Sequence, residues 1–333
     1  MLQHHHARRS RRIASGLALG LAVALPALAA PPFTRPADCT LGEDCWVVRH
    51  VDRDPGPGVR DVGCGMLTGD AHRGTDIALA DMARLADGVL VISPAAGEVV
   101  GVRDGMPDIA HGAPGAPRLD GRNCGNGVRI VHAEGWVSQL CHLRRGSLLV
   151  AAGDRVEAGD PVGRIGLSGE TTFPHVHWSL WHEDRLIDPY DGAEPATDPA
   201  CATGGTSLIA GAPAYAALPL VDAGFAPGAV EDDDILRGWH GETTLPATAP
   251  ALVLWMHAYG TELGDVVRFR IDGPTGTVLD HENVVEDGHA RGSYFAGTRR
   301  PDGGWPPGRY AGEVTWQRGE AVARRRVTVE LRD

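Results

Sequence analysis

Residues 125–143 read GNGVRIVHAEGWVSQLCHL. Within it, GVRIVHAEGWVSQL is two short, partly alternating apolar runs on either side of Glu134-Gly135, the pattern of a β-hairpin that turns at that pair. On both sides the same texture continues: VLVISPAAGEVVGV at 89–102, GSLLVAAGDRV at 146–156, DPVGRIGLSG at 160–169 and HVHWSLW at 175–181. Runs of four to eight residues punctuated by glycine predict short strands joined by tight turns. The Gly-Asp pairs in AAGDRVEAGDPVG supply the turns that a compact wrapped sheet needs. The expected fold class is therefore mainly β, with a compact antiparallel sheet.

Composition agrees. The 333 residues include 45 glycines and 24 prolines, and the chain has no long charge run. Such a chain favours turns and short strands over long helices. Residues 1–29 hold four arginines and no acid, then an apolar run from Ile13 to Leu25, then Ala27-Leu28-Ala29. That order predicts an export signal cleaved after Ala29, with a retained anchor as the alternative. His4-His5-His6 is read as part of this leader, or as tag-like, rather than as a metal site. Without the leader's four arginines the chain carries 27 basic against 43 acidic residues, a formal charge of −16, which disfavours nucleic acid as a partner. Monomer is the default expectation. Cysteines at 39, 45, 64, 124, 141 and 201 all follow the leader, and their even number suits an oxidising compartment and three disulfides. Cys124 and Cys141 flank a hairpin strand and are the best candidates for one bridge.

Three further regions are expected. Residues 30–200 form the first domain, with its core at 60–190. Residues 201–250, rich in alanine, proline and glycine, read as a connector partly packed on its neighbours. In residues 251–333 alternation returns in ALVLWMHAY, DVVRFRID, GTVLDHE, RYAGEVTWQ and VARRRVTVEL. Five or six strands there predict a small β-sandwich of immunoglobulin-like character, with WQRGEA turning the last hairpin. The acidic run 231–234 reads as a solvated face, since no loop of alternating oxygen ligands surrounds it.

Chemistry-bearing residues fall in three clusters. His72 and Asp76 lie four apart in HRGTD, His142 ends the second hairpin strand, and His175 and His177 lie two apart in HVHW. Side chains two apart on a strand share a face, so His175 and His177 look the same way. One can hold a metal while the other sits beside the open coordination position that a catalytic zinc keeps. Cys141 and His142, as neighbours on a strand, are expected on opposite faces. WHEDRL at 181–186 starts like HExxH but lacks the second histidine, and GLSG at 166–169 is not a nucleophile elbow. His50, His111, His132, His182, His240, His257, His281 and His289 are assigned to surface or turn positions.

Taken in order, H-x-x-x-D, a strand-end His-Leu and H-x-H resemble the M23 peptidases, the lysostaphin or LytM-type metallopeptidases. HRGTDIAL, SPAAGEVVGV, VEAGDPVGRIGLSG and DPY add to a resemblance that covers about residues 60–190. The resemblance implies a zinc endopeptidase with one Zn2+ held by His72, Asp76 and His177. It also implies that His142 and His175 are catalytic without being primary ligands, that peptidoglycan cross-link peptides are the substrate, and that the protein is exported to the periplasm or beyond. Relatives that have lost ligands act as wall-binding regulators, and a secreted protease acting on proteins is a third possibility. Two positions depart from the family pattern: Phe173 stands where glycine is common before Pro-His, and Ser179 where an acid is common.

Overall fold

A computed structural model describes residues 32–195, 205–211 and 215–333. The leader, the His4-His5-His6 run and Cys201 lie outside the described residues. The first unit contains β1 (Cys45–Arg49), β2 (Thr75–Leu79), β3 (Leu90–Ile92), β4 (Gly97–Arg103), β5 (Asn126–His132), β6 (Trp136–Leu143), β7 (Arg155–Val156), β8 (Pro161–Arg164), β9 (His175–His182) and β10 (Arg185–Ile187). Its main sheet is antiparallel, in the order β1-β2-β9-β6-β5-β4-β7, with β10 added to β9 and a small β3-β8 sheet beside it. The hairpin expected at Glu134-Gly135 is the β5-β6 pair, turned by a short 3-10 segment, Ala133–Gly135.

Burial follows the period of two. On β9, Val176, Trp178 and Leu180 are fully buried in the core with Ile77, Ile130 and Leu140. The intervening His175, His177, Ser179 and Trp181 face a groove of about 700 Å³. Burying the even-numbered face thus fixes which residues β9 presents on the other side.

The second unit holds β11 (Leu220–Ala226), a short α1 (Asp232–Leu236), β12 (Thr244–Pro246), β13 (Ala251–Thr261), β14 (Val266–Gly273), β15 (Gly276–Val284), β16 (His289–Arg299), β17 (Gly308–Arg318) and β18 (Ala321–Arg332). One sheet is β11-β13-β16, the other β12-β18-β17-β14-β15, and both contribute to a single core around Phe225, Leu254, Phe269 and Trp316. β11 and β12 come from the stretch read as a connector. The five strands expected from sequence are β13, β14, β15, β17 and β18; the sixth is β16, whose HARGSYFAGTR hides its period behind small and polar residues. The acidic run opens α1 with its carboxylates exposed.

The two units share a third apolar cluster, in which Trp46, Val48, Leu67, Ala78 and Phe173 of the first meet Val221 and Tyr259 of the second. Disulfides join Cys39 to Cys45 and Cys124 to Cys141, the latter as expected; Cys64 is also disulfide-bonded. Among the described residues no helix is long and apolar enough to cross a membrane. Three histidines assigned to surface or turn positions are instead buried: His50, His132 and His257. His132 hydrogen-bonds the Ala96 carbonyl and Ser138, and His257 hydrogen-bonds Ser293, so each ring has a polar partner inside.

Candidate functional site

Register builds the site. Asp76 on β2 lies directly opposite His177 on β9, and Cys141 on β6 opposite His177 from the other side. Directly opposed residues on neighbouring strands bring their side chains within contact distance. His72 enters from the turn before β2, and its Nε2 lies 3.1 Å from Asp76 Oδ1 and 3.1 Å from His177 Nδ1. His177 Nδ1 lies 2.8 Å from the same carboxylate oxygen. Three donor atoms therefore converge at near-equal spacing. Tetrahedral zinc with bonds of about 2.0–2.1 Å separates its ligand atoms by roughly 3.3 Å, so the trio fits such an ion after opening by a few tenths of an ångström. The other cluster of metal-ligand type among the described residues, Cys39, Asp44 and Cys45, has its thiols closed in a disulfide.

The second nitrogens of these rings decide which lone pairs are available. His72 Nδ1–H donates to the His50 carbonyl at 2.8 Å, which leaves Nε2 as the acceptor facing the trio. The Ser179 hydroxyl donates to the Arg73 carbonyl at 2.6 Å, so its oxygen accepts from His177 Nε2–H at 2.9 Å and frees Nδ1. Partners of this kind fix the tautomer and ring orientation of metal-binding histidines. Ser179 thus supplies the supporting contact that its departure from the family pattern put in question.

Two more histidines stand beside the trio. His175 Nδ1 lies 3.0 Å from the Phe173 carbonyl, and its Nε2 is 3.5 Å from Asp76 Oδ1. His142 Nδ1–H donates to the Ser168 carbonyl at 2.7 Å, which leaves Nε2 as an acceptor. The His142 and His175 ring centroids are 4.6 Å apart. Phe173 stacks on His175 at 4.4 Å and forms part of the groove wall.

His142 reaches the groove through a bulge. Leu140 pairs with Val128 and Leu143 with Asn126, so Cys141 and His142 together oppose the single residue Gly127. His142 takes φ +64°, the left-handed region, and the alternation of faces breaks there. Cys141 and His142 consequently both line the groove rather than opposite faces. Gly127 permits this: a Cβ there would fall 2.5 Å from the Leu140 carbonyl and 2.8 Å from Cys124 Sγ.

The electrostatics follow from burial and the shared carboxylate. Burial opposes ionisation of Asp76, but the charges of His72 and His175, and hydrogen bonds from His175 and His177 when their facing nitrogens carry a proton, hold its carboxyl well below the usual range. Burial also lowers His72, yet the Asp76 charge, and the hydrogen bond that Nε2 makes to it once protonated, outweigh burial and its pKa is raised. His177 is lowered, chiefly by burial. Burial, then the neighbouring His175 and His177, push His142 well below the ordinary histidine value, so it is neutral.

Sequence reading missed Gly74, where a Cβ would lie 2.6 Å from the His177 ring, so only glycine lets that ring occupy its place. It also missed Thr171, whose hydroxyl lies 3.1 Å from His175 Nδ1. The glycine in HRGTD was a visible signal, whereas nothing local marks Thr171.

Residues 70–189 match the model of the family described as "Peptidase family M23". A 65-residue stretch is 34% identical to a protein of Buchnera aphidicola subsp. Baizongia pistaciae named "Uncharacterized metalloprotease", covering 20% of this chain and 17% of that one. Another, of 56 residues, is 39% identical to "Peptidoglycan DD-endopeptidase ShyC" of Vibrio cholerae, covering 17% of this chain and 12% of that one. Among solved structures, a zinc-containing peptidase from Vibrio cholerae is similar over 47% of this chain and 39% of that chain, at 24% identity and a TM-score of 0.30. The matched segments span less than a fifth of these two curated relatives' own length.

Proposed function

We propose, from the match of residues 70–189 to the model of peptidase family M23, that the chain is an exported zinc metalloendopeptidase that hydrolyses peptide bonds in peptidoglycan cross-links. The observation that carries the reading is the convergence of His72 Nε2, Asp76 Oδ1 and His177 Nδ1, with hydrogen bonds that turn each ring's lone pair inward. His72, Asp76 and His177 would hold one zinc ion. The chemistry such an ion supplies is Lewis-acid polarisation of a water and of the scissile carbonyl. His142, neutral and with Nε2 free, takes the proton of the attacking water. His175, whose Nδ1–H donates to the Phe173 carbonyl, presents Nε2 beside Asp76, and with a proton also on Nε2 it would stabilise charge developing on the carbonyl oxygen. The peptidoglycan substrate is supported by the name of the Vibrio cholerae relative. The second unit is read as an immunoglobulin-like sandwich accessory to this site.

Mass spectrometry of muropeptides released from purified peptidoglycan tests the reading. Release of cross-link peptides is expected, together with one zinc per chain that a chelator removes. His142→Ala and His175→Ala are expected to keep the metal and lose turnover by about 10²–10⁴-fold. A metal-loaded chain that releases nothing would favour a non-catalytic regulator, and cleavage of proteins alone would favour a general secreted protease.

A further inference from the structure

Arg49 ends β1, where its backbone partners Asp76 across the sheet, and it lines the groove. Arg291 lies on β16 of the second unit, directly opposite Tyr259 on β13. Both guanidiniums sit over one ring, at 5.7 Å and 6.0 Å from the centroid of Phe173. That ring's own neighbours are His175, stacked at 4.4 Å, and Tyr259 at 5.5 Å. Among the described residues neither arginine has a carboxylate at ion-pair distance, whereas the half-buried Arg60, Arg318 and Arg325 each have one. Tyr259 is 2% exposed, and its hydroxyl lies within reach of the Arg291 guanidinium. Burial pushes that hydroxyl's pKa up to about 12, against the Arg291 charge, a hydrogen bond from Arg291 and the Arg49 charge.

Two guanidiniums without a carboxylate partner, one lining the groove and both over Phe173 in its wall, leave N–H donors for an anionic group. Asp70 and Glu170 in the same groove would repel an anionic substrate, and a cationic edge offsets them. We infer that Arg49 and Arg291 form a subsite, floored by Phe173 and backed by Tyr259, for a carboxylate of the substrate peptide. The inference rests on the peptidase reading and adds that the second unit takes part in substrate selection. Guanidiniums suit the role because their planar forks match a carboxylate's two oxygens.

The probe is a set of muropeptides whose stem-peptide carboxylates are either free or converted to amides. Calorimetric binding to the full chain and kcat/KM are both measured, and the acid-to-amide ratio is compared between variants. The wild-type protein is expected to prefer the free acids by about tenfold or more, a preference that weakens as salt rises. In Arg291→Gln and Arg49→Gln the ratio is expected to fall towards one, and in Arg291→Glu to invert. Arg291 lies on the second unit, whereas His72, Asp76 and His177 lie on the first, so its variants separate the subsite from the metal centre. The same ratio in the wild type and in both glutamine variants overturns the subsite. Should the wild-type protein cleave neither set, the peptidase reading fails, while the binding ratio still decides the subsite.

Discussion

Ser179 and Gly74 show how the proposed metal site depends on residues outside the His72–Asp76–His177 trio. The Ser179 oxygen accepts from His177 Nε2–H, and that bond alone keeps the Nδ1 lone pair turned towards Asp76 and His72. Ser179→Ala is expected to weaken zinc binding by about 10–100-fold in chelator competition, and Ser179→Asp, which restores an acceptor, to recover most of it. Unchanged affinity in the alanine variant would mean that packing alone orients the ring. Gly74→Ala puts a methyl 2.6 Å from the His177 ring and from the Trp178 carbonyl. The ring must swing away, so loss of the metal without unfolding is expected, read by metal content and circular dichroism. A loaded Gly74→Ala protein would show that the loop before β2 yields more easily than the ring.

At the level of the element, β6 is the strand that sequence periodicity misjudges. Its first five residues alternate normally, and the bulge at Cys141-His142 then turns two consecutive side chains into the groove. A non-glycine residue in the left-handed region costs about 1 kcal/mol or more, so something must hold it there. The candidates are the Cys124–Cys141 disulfide and the His142 amide, which donates to the Cys124 carbonyl at 2.9 Å. Replacing both cysteines by serine is expected to cost about 3 kcal/mol in denaturant unfolding, by the loop-entropy estimate for a loop of this size. Turnover should fall more than zinc content, because the bulge positions His142 and not the proposed ligands His72, Asp76 and His177. Equal loss of both would place the disulfide's role in the fold as a whole.

Across the whole molecule, buried histidines couple stability to pH. Burial holds His50 and His257 down at about 4, from 6.5 in the ordinary state. Both are neutral in the folded protein, whereas the unfolded chain binds a proton at each below about 6.5. Their contribution is therefore intact above pH 6.5 and is lost as pH falls from 6.5 towards 4. For His257, fully buried between the strands of the second unit, the shift corresponds to at most roughly 3 kcal/mol. His257→Gln is expected to flatten the fall in unfolding free energy between pH 6.5 and 4. A curve of unchanged slope would remove His257 from the account.

Much of this protein was legible in local pattern. The glycine-punctuated runs foretold the strands, the period of two on HVHWSLW foretold that His175 and His177 share a face, and ordered motifs pointed to His72, Asp76 and His142. Such features are local because strand alternation and turn chemistry act over a few residues. The rest depended on partners distant in the chain. The pairing of β2 with β9 sets Asp76 opposite His177, a bulge against Gly127 redirects His142, and the Arg73 carbonyl decides the orientation of the Ser179 hydroxyl. Burial of His50, His132 and His257 likewise depends on which sheets close over them, since histidine is amphipathic enough to sit inside or outside. Sequence alone determined the kinds of residue that could gather. Strand register and the packing of one unit on the other decided the distances between them and set Arg291 beside Phe173, because cross-strand contact is a property of paired strands and not of either strand by itself.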